Sequence, residues 1–280
     1  MRFGNLYGRA VLIAESGAID VSDASGGRFG PALAGCFDVW DEVIQWAATT
    51  DATAKPYDTE ALQAPSPTPR QVYGIGLNYA AHAAESGSPV PEFPPTFTKF
   101  PSCITGPYAT VELQSATTDY EVELVVVMGQ QTYRVDAPDA WSHVAGLTVG
   151  QDLSDRAVQL RPPVPQFSLG KSFPGFGPMG PWLVTIDEFD NPDDLALSCA
   201  INDEVMQSSR TSDLIFSVPV LIEKLSHITP LFPGDVIFTG TPSGVGAGRT
   251  PQRFLRTDDV LVSQIEGIGS ITTRFNGKGA

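Results

Sequence analysis

The sequence predicts a β-rich α+β fold. Short apolar segments that resemble strands alternate with Gly- and Pro-containing turns along most of the 280 residues, and only a few segments show helical spacing. Hydrophobic residues make up 42% of the chain and charged residues 18%, a balance that excludes global disorder. A chain of this length can bury a large core without disulfides or a structural metal.

Residues 1–65 are predicted to form a small N-terminal α/β domain. RAVLIAE and a second short apolar stretch resemble strands joined by turns. DVWDEVIQWAATT repeats apolar residues at helical spacing, with Asp38 or Asp41 as its N-cap. Three prolines in the linker APSPTPRQ favour an extended chain, so we place the domain boundary there.

The second domain, residues 66–280, opens with a strand that leads into a short helix. VYGIGLNY contains the strand, and AAHAAES forms the helix, which Gly87 and Pro89 end. The Pro-rich segment SPVPEFPPTFTKF must be a loop or an edge strand, because proline cannot donate to a sheet. TTDYEVELVVVMG, residues 117–129, is the clearest strand of the chain.

The remaining residues alternate strands with turns. A strand that ends near Gln151 precedes a helical turn, and one late helix is expected in SVPVLIEKLSHI. Residues 161–182 are crowded with Gly, Pro and Phe, which predicts a long loop of the kind that usually serves function. Four short strands are expected in LALSCAIND, DVIFTG, VLVSQIEG and GSITTRF.

The charge of the chain argues against two classes of partner. It carries 17 basic and 32 acidic residues, and a net charge of −15 disfavours both nucleic acid and an anionic membrane surface. The cysteines at 36, 103 and 199 are too scattered for a disulfide framework or a zinc site. The first residues lack a secretion signal and the apolar runs are too short to cross a bilayer, so we expect a soluble cytoplasmic protein.

Two nucleotide-binding patterns are incomplete. Gly74 and Gly76 follow a strand, but Tyr79 stands where a dinucleotide fingerprint needs its third glycine. The run 170–172 resembles the end of a phosphate loop, but Pro165 replaces the required earlier glycine. The GxSxG signature of serine hydrolases is also missing.

A pair of carboxylates indicates a metal site. Glu121 and Glu123 lie two residues apart in a strand, so both side chains point to the same face. Like charges on an otherwise apolar face repel and lose hydration, and a divalent cation relieves both costs. Hard oxygen ligands suit Mg²⁺, Mn²⁺ or Ca²⁺. The alternative is a solvated face of an edge strand.

A third carboxylate follows the next strand. Asp152 could be a helix N-cap, or it could act with the pair of glutamates. If the segment after it is helical, Arg156 and Gln159 share its face, and the three side chains could hold a metal and an anionic substrate together. Asp155 is one step off this face, and we expect it on the surface.

His82 and Glu85 are the best candidates for acid–base chemistry. They lie three residues apart on a short helix, where a carboxylate can orient the imidazole and raise its basicity. The alternative is a surface pair. Lys171 and Lys99, each set among aromatic residues, could contact an oxyanion or a carboxylate, or could be surface lysines.

Taken together and in order, seven segments resemble the fumarylacetoacetate hydrolase family. None of them is specific alone, but the set in this order is. They are GIGLNYAAHAAESG, PPTFTKFPSCITGP, DYEVELVVVMG, AGLTVGQDLSDRAVQ, LGKSFPGFGPMGPW, VMQSSRTSDLIFSVPVLI and LFPGDVIFTGTPSGVG.

The resemblance implies a mixed β-roll catalytic domain, usually as a homodimer. It implies a divalent metal, commonly Mg²⁺, held by two glutamates and one aspartate. It also implies a His–Glu pair that activates water, an active-site lysine and a set of substrate contacts. These functions fall on Glu121, Glu123 and Asp152 for the metal, on His82, Glu85 and Lys171 for catalysis, and on Arg156, Gln159 and Thr241 for substrate binding.

From the resemblance we expect a metal-dependent hydrolase that cleaves a C–C bond in a 1,3-dioxo acid of the acylpyruvate or fumarylpyruvate type. The metal would stabilise the enolate that forms on cleavage. The alternatives are an oxaloacetate decarboxylase, or a hydratase or isomerase of an aromatic-degradation intermediate, and lastly a non-catalytic binding protein. Many members carry Ser-Ala-Arg-Asp where this chain has Ser154-Asp155-Arg156-Ala157, which bears on substrate choice.

Overall fold

Two mixed β-sheets form the body of the protein. The computed structural model describes residues 1–277, and its strands are β1 (Arg2–Leu6), β2 (Arg9–Ala14), β3 (Gly17–Asp20), β4 (Leu62–Gln63), β5 (Val72–Ile75), β6 (Thr96–Thr98), β7 (Ile104–Thr105), β8 (Thr110–Leu113), β9 (Thr118–Asp119), β10 (Val122–Met128), β11 (Val144–Gln151), β12 (Ser154–Asp155), β13 (Gly177–Val184), β14 (Ala196–Ile201), β15 (Glu204–Arg210), β16 (Val236–Phe238), β17 (Val260–Ile265) and β18 (Gly269–Gly277). The β-rich α+β class is confirmed.

The helices are short. They are α1 (Val21–Ala24), α2 (Leu33–Cys36), α3 (Trp40–Ala47), α4 (Ala80–Glu85), α5 (Arg156–Gln159), α6 (Phe167–Gly170) and α7 (Val218–Ser226). Single 3₁₀ turns occupy Phe37–Val39, Thr59–Ala61, Pro101–Cys103, Ala137–His143, Ile186–Glu188, Thr211–Asp213 and Gly246–Gly248. Within residues 1–277, no helix has the length and apolar character needed to cross a membrane.

Strand order places β10 near the centre of the larger sheet. That sheet runs β3-β2-β1-β13-β11-β10-β16-β5-β6, with β4 beside β1 and β7 beside β13. The second sheet runs β15-β14-β17-β18-β8, and β9 pairs with β12 alone. The predicted edge position of the Pro-rich segment is confirmed, because β6 is the last strand of the larger sheet.

Both faces of β10 are buried, each in its own core. Val122, Leu124 and Val126 pack into a core that also includes the second sheet and α7. Val125 and Val127 pack on the other side against the N-terminal segment. The alternation that the sequence predicts for this strand is therefore confirmed, and it places Glu123 on the same side as Val125.

The N-terminal segment is continuous with the larger sheet. β1 pairs with β13, so that Arg2 lies opposite Val184 and Phe3 opposite Leu183. Phe3 also packs against Trp40, with ring centroids 4.8 Å apart. The division at residue 65 stays a prediction, and main-chain hydrogen bonds and a shared core cross it.

The N-cap predicted for α3 is wrong. Neither Asp38 nor Asp41 caps the helix, because a 3₁₀ turn runs directly into it and leaves Val39 at the cap position without a side-chain bond. Asp41 lies in the first helical turn, where a carboxylate still interacts favourably with the helix dipole.

The long loop predicted over residues 161–182 is partly wrong. α6 and most of β13 lie inside it. Glycines allow this strand to pass close to its neighbours. A Cβ atom at Gly177 would lie 3.1 Å from Cys103 Sγ, and one at Gly180 would lie 2.9 Å from Pro107 Cβ. The Gly and Pro content thus serves close packing as well as turns.

We expect Gly146→Ala to destabilise the protein by about 1–3 kcal/mol, because a Cβ atom there would lie 2.5 Å from the carbonyl oxygen of Val184 and would separate β11 from β13. Urea unfolding measures the loss. Gly35→Ala in α2, where a Cβ atom would meet nothing within 4 Å, is the control and should match or slightly exceed the wild type. Equal unfolding midpoints for Gly146→Ala and the wild type would contradict the packing argument.

Candidate metal centre and active-site cavity

Three buried carboxylates meet where β10 begins and β11 ends. Glu121 precedes β10, Glu123 belongs to it, and Asp152 follows β11, whose Gln151 is paired with Val122. Each of the three side chains offers an oxygen, and these oxygens all lie within 4.8 Å of one another. The structure therefore brings together the three residues that the sequence predicts as metal ligands.

Two buried lysines neutralise part of this charge. Lys171 Nζ lies 2.8 Å from Glu121 Oε2, 2.6 Å from Asp152 Oδ2 and 2.8 Å from Ser154 Oγ. Lys99 Nζ lies 2.6 Å from the other oxygen of Asp152 and donates to the carbonyl oxygens of Lys171 and Phe176. Both lysines are buried, so the surface alternative is wrong for each.

The pKa values of Glu121 and Glu123 are shifted in opposite directions. Burial favours the protonated form of Glu121, but Lys171 and Arg156 outweigh it and lower its pKa to about 2. Burial, together with Asp152 and Glu121, raises the pKa of Glu123 well above its usual range. Burial opposes the charge on Lys171, but the neighbouring carboxylates raise its pKa nonetheless. Burial and the two neighbouring carboxylates thus favour the neutral form of Glu123.

The donor set fits a divalent cation. Three carboxylates supply hard oxygen ligands, which Mg²⁺, Mn²⁺ and Ca²⁺ prefer. A bound divalent cation would also offset the repulsion among Glu121, Glu123 and Asp152, and it would replace the proton that Glu123 otherwise retains. Glu123 is already oriented for this, since its Oε2 accepts the N–H of Gly240 at 2.7 Å.

The expected helix after Asp152 begins later than the sequence suggests. Asp152 is no N-cap, because Ser154 and Asp155 continue as an extended strand paired with β9. Asp155 caps α5 instead, accepting the N–H of Val158 at 3.1 Å, and it is buried. The predicted surface position of Asp155, and a helical face shared by Asp152 and Arg156, are therefore both wrong.

Arg156 reaches the cluster from the side. Its Nη1 lies 2.8 Å from Glu121 Oε1 and 2.8 Å from the side-chain oxygen of Gln159. Its Nε and Nη2 both contact Asp119 Oδ2, at 2.9 and 2.8 Å. Burial disfavours the charged guanidinium, but Glu121 and Asp119 raise its pKa. Asp119 is not among the predicted site residues, although it opens the segment DYEVELVVVMG, because no local spacing links it to Arg156.

His82 and Glu85 form the predicted pair on α4. His82 Nδ1 lies 3.2 Å from Glu85 Oε2, and both side chains are largely buried, so the alternative of a surface pair is wrong. Glu85 also accepts the N–H of Gly244, with its two oxygens at 2.9 and 3.2 Å. Burial opposes ionisation of Glu85, but His82 and this N–H lower its pKa. A charged Glu85 can therefore hold the imidazole with its proton on Nδ1.

Two buried glutamines fix the backbone at the start of β10. Gln151 accepts the N–H of Glu121 at 2.8 Å, and Gln207 accepts the N–H of Val122 at 2.9 Å. Gln207 also donates to Thr241 Oγ1 at 2.8 Å, and Thr241 donates to the carbonyl of Val122 at 2.9 Å. Neither glutamine is among the predicted site residues. No local spacing links Gln151 to Glu121, and Gln207 comes from β15 in the second sheet.

One cavity of about 400 Å³ opens onto these groups. The predicted site residues that line it are His82, Glu85, Glu121, Arg156, Gln159, Lys171 and Thr241. Glu123 and Asp152 lie behind this wall. A wider surface groove of about 830 Å³ crosses the second sheet, but it contains none of the predicted site residues.

Comparison with known proteins finds related sequences and structures. Residues 71–276 match the family model of the fumarylacetoacetate hydrolase C-terminal domain. A mitochondrial oxaloacetate tautomerase of Bos taurus is 42% identical over 234 residues, covering 83% of this chain and 74% of that protein.

Solved structures extend the similarity. A Mycobacterium smegmatis protein provisionally named HpcE superposes with a TM-score of 0.95 at 52% identity, covering 99% of both chains. A fumarylpyruvate hydrolase of Pseudomonas aeruginosa in complex with Mn²⁺ and pyruvate has a TM-score of 0.67 and 31% identity, covering 75% of this chain and 90% of that one.

We expect Glu123→Gln to lower the affinity for Mn²⁺ by at least about tenfold without unfolding the protein, because it replaces one carboxylate by a neutral amide of the same shape. Calorimetric titration measures the affinity. Glu112→Gln on the exposed side of β8 is the control and should bind like the wild type. Wild-type affinity in Glu123→Gln would remove Glu123 from the site.

We expect Lys99→Met to cost about 3–5 kcal/mol in EDTA, because it leaves the buried Asp152 without one of its two cations. Urea unfolding checks this, with the exposed Lys55→Met as the control. Addition of Mn²⁺ should recover part of the loss, since the ion supplies charge to the same carboxylate. A variant as stable as the wild type in EDTA would show that Lys99 does not support Asp152.

Proposed function

Because this chain belongs to the fumarylacetoacetate hydrolase family, we propose that it is a divalent-metal-dependent enzyme that hydrolyses a C–C bond of an acylpyruvate. The observation that carries the proposal is the shared cavity, in which a His–Glu pair opens onto the same space as Glu121, Lys171 and Arg156. Hydrolysis needs both parts, a base for water and positive charge near the 2-oxo acid.

We propose Mg²⁺ as the ion of Glu121, Glu123 and Asp152, with Mn²⁺ and Ca²⁺ as the other hard cations that this donor set would accept. When bound, the ion supplies Lewis-acid polarisation of the substrate's 2-oxo group. Lys171 and Arg156 add positive charge beside the substrate carboxylate.

Our mechanism assigns the proton transfers to His82. Glu85 holds the ring with its proton on Nδ1, so Nε2 is free to accept a proton from water. The hydroxide adds to the distal carbonyl carbon, and the C–C bond between that carbon and C3 breaks. Its electron pair stays on the pyruvate fragment as an enolate. His82 returns the proton to C3, and the products are a carboxylic acid and pyruvate.

Tautomerisation of oxaloacetate is the second candidate. The relatives favour it, since a protein named as an oxaloacetate tautomerase is 42% identical over 83% of this chain. The same histidine would move a proton to or from C3, without attack by water. We place hydrolysis first because a cavity of about 400 Å³ has room for an acyl group that a four-carbon acid lacks.

Several further predictions from the sequence belong with this proposal. They are the homodimer, the cytoplasmic location, the role in aromatic catabolism, and a hydratase or isomerase reaction at the same site. The relatives named as enzymes favour catalysis over a non-catalytic binding role.

We expect pyruvate from acetylpyruvate when Mg²⁺ or Mn²⁺ is present, and none in EDTA, because the carboxylate triad alone cannot polarise the substrate. A lactate dehydrogenase-coupled assay detects the product. The same samples receive enol-oxaloacetate, with absorbance and CO₂ recorded. If acetylpyruvate stays intact and the enol of oxaloacetate disappears faster, the reaction is tautomerisation and not hydrolysis. If CO₂ is released, the reaction is decarboxylation.

We expect His82→Asn to reduce kcat by at least about a hundredfold while Mn²⁺ affinity stays unchanged, since the residue moves protons and binds no metal in our assignment. His227→Asn, at the exposed end of α7, is the matched control. If His82→Asn turns over at the wild-type rate, the base lies elsewhere.

A further inference from the structure

We infer that the acyl group of the substrate is apolar and uncharged, and that the enzyme discriminates against acylpyruvates whose tail ends in a second carboxylate. This inference rests on the proposed function and specifies its substrate class. It follows from the way polar and apolar groups divide the lining of the 400 Å³ cavity.

The cations of the cavity lie deep, and the side chains towards the solvent are mainly apolar. Glu121, Gln159 and Lys171 are buried. Of the apolar side chains that line the same cavity, Ile75 and Val245 are buried, but 54% of Leu160 is accessible to solvent. The polar residues of the outer part, Ser86 and Ser88, are uncharged. The partly buried residues Leu77, Phe97 and Phe167 belong to the same apolar group. A substrate whose carboxylate lies at the buried end would therefore place its tail among apolar side chains.

Two aromatic rings build one side of this outer part. Phe97 and Phe167 meet edge to face, with ring centroids 5.8 Å apart. Phe97 also faces inward, since Lys171 Nζ lies 5.1 Å from the centre of its ring. These contacts hold the two rings in place and give the tail an apolar surface of defined shape.

The cations of the cavity are already committed at its buried end. Among the lining residues only Arg156 and Lys171 carry positive charge independently of pH near neutrality. Arg156 uses Nε, Nη1 and Nη2 on Asp119 and Glu121. Lys171 uses its ammonium on Glu121 and Asp152. Lys171 uses its third hydrogen on Ser154, and the one hydrogen that Arg156 has left, on Nη2, lies beside Asp119 at the buried end, away from the far end of a tail.

Two neighbouring arginines do not fill this gap. Arg249 turns to the backbone, donating to the carbonyl oxygens of Gly244 and Met206. Arg161 follows Leu160 along the chain, but it does not line the cavity. Glu85, which does, adds negative charge instead. A second carboxylate would lose hydration without gaining a cationic partner.

The first test compares two substrates of equal length. Butanoylpyruvate and succinylpyruvate differ only in a terminal methyl group against a terminal carboxylate. We expect kcat/KM with Mg²⁺ to favour butanoylpyruvate by at least about tenfold. Equal values, or a preference for succinylpyruvate, would overturn the inference.

The second test adds the missing cation. Leu160→Arg places a guanidinium among the apolar lining residues, and we expect it to narrow or reverse the preference for butanoylpyruvate by at least about tenfold. Leu169→Arg is the matched control, because Leu169 is 63% exposed on α6 and does not line the cavity. An unchanged ratio in folded Leu160→Arg, or the same shift in both variants, would contradict the inference.

A binding measurement separates this inference from the proposed reaction. If neither acylpyruvate is cleaved, hydrolysis fails, but 2-oxohexanoate and 2-oxoadipate still report on the tail. Calorimetric titration in the presence of Mn²⁺ should then show tighter binding of 2-oxohexanoate, by at least about tenfold. Equal affinities, or tighter binding of 2-oxoadipate, would refute the apolar tail whatever the reaction is.

Discussion

Three buried cations, Lys99, Arg156 and Lys171, lie among the carboxylates of the site, and the rest of the structure depends on these ion pairs. Burial of an unpaired charge would cost several kcal/mol, so Glu121, Asp152 and Asp119 need their cations in place before the interior can close, whereas the raised pKa of Glu123 favours its neutral form. The cations come from separate parts of the chain. Lys99 follows β6, Arg156 begins α5, and Lys171 follows α6. These ion pairs therefore join segments that are distant in the chain, and they add to apolar contacts such as that of Phe97 with Phe167 in positioning short helices and proline-rich stretches around the sheet.

A single glycine-containing loop ties the parts of the site together. The N–H of Gly240 is donated to Glu123, that of Gly244 to Glu85, and that of Gly246 to Asp119, the partner of Arg156. The loop can come this close at these positions because glycine has no side chain. A Cβ atom at Gly246 would lie 2.5 Å from Asp119 Oδ1. The same loop backbone thus holds Glu123, Glu85 and Asp119, which belong to or contact the proposed metal ligands, the proposed base and Arg156. This is how residues from distant segments keep fixed relative positions.

The sequence predicts the parts of the site that local geometry determines. The spacing of Glu121 and Glu123 in a strand, and of His82 and Glu85 in a helix, sets their relative positions directly. Long-range pairing is different. Asp119 and Gln207 lie in two of the segments that carry the family resemblance, but no local spacing links them to Arg156 and Val122, and only the completed sheets bring them together. The same reason explains the errors over residues 161–182 and at Asp155, since the pairing of β13 and β12 with distant strands overrides the local preference of their residues for turns.

The strong negative charge of the whole chain fits an anionic substrate only if local charge decides binding. At physiological ionic strength, interactions between exposed charges fade beyond about 8 Å, so a net charge of −15 spread over the surface is mostly screened. Inside the cavity screening is weak, and the balance there is set by the buried carboxylates, Lys171 and Arg156. The carboxylate of a 2-oxo acid, bound at this end, meets positive charge. A second carboxylate at the other end would find no cation among the lining residues and would add to the negative charge of Glu85, so the same charge distribution that admits a monoanion opposes a dianion.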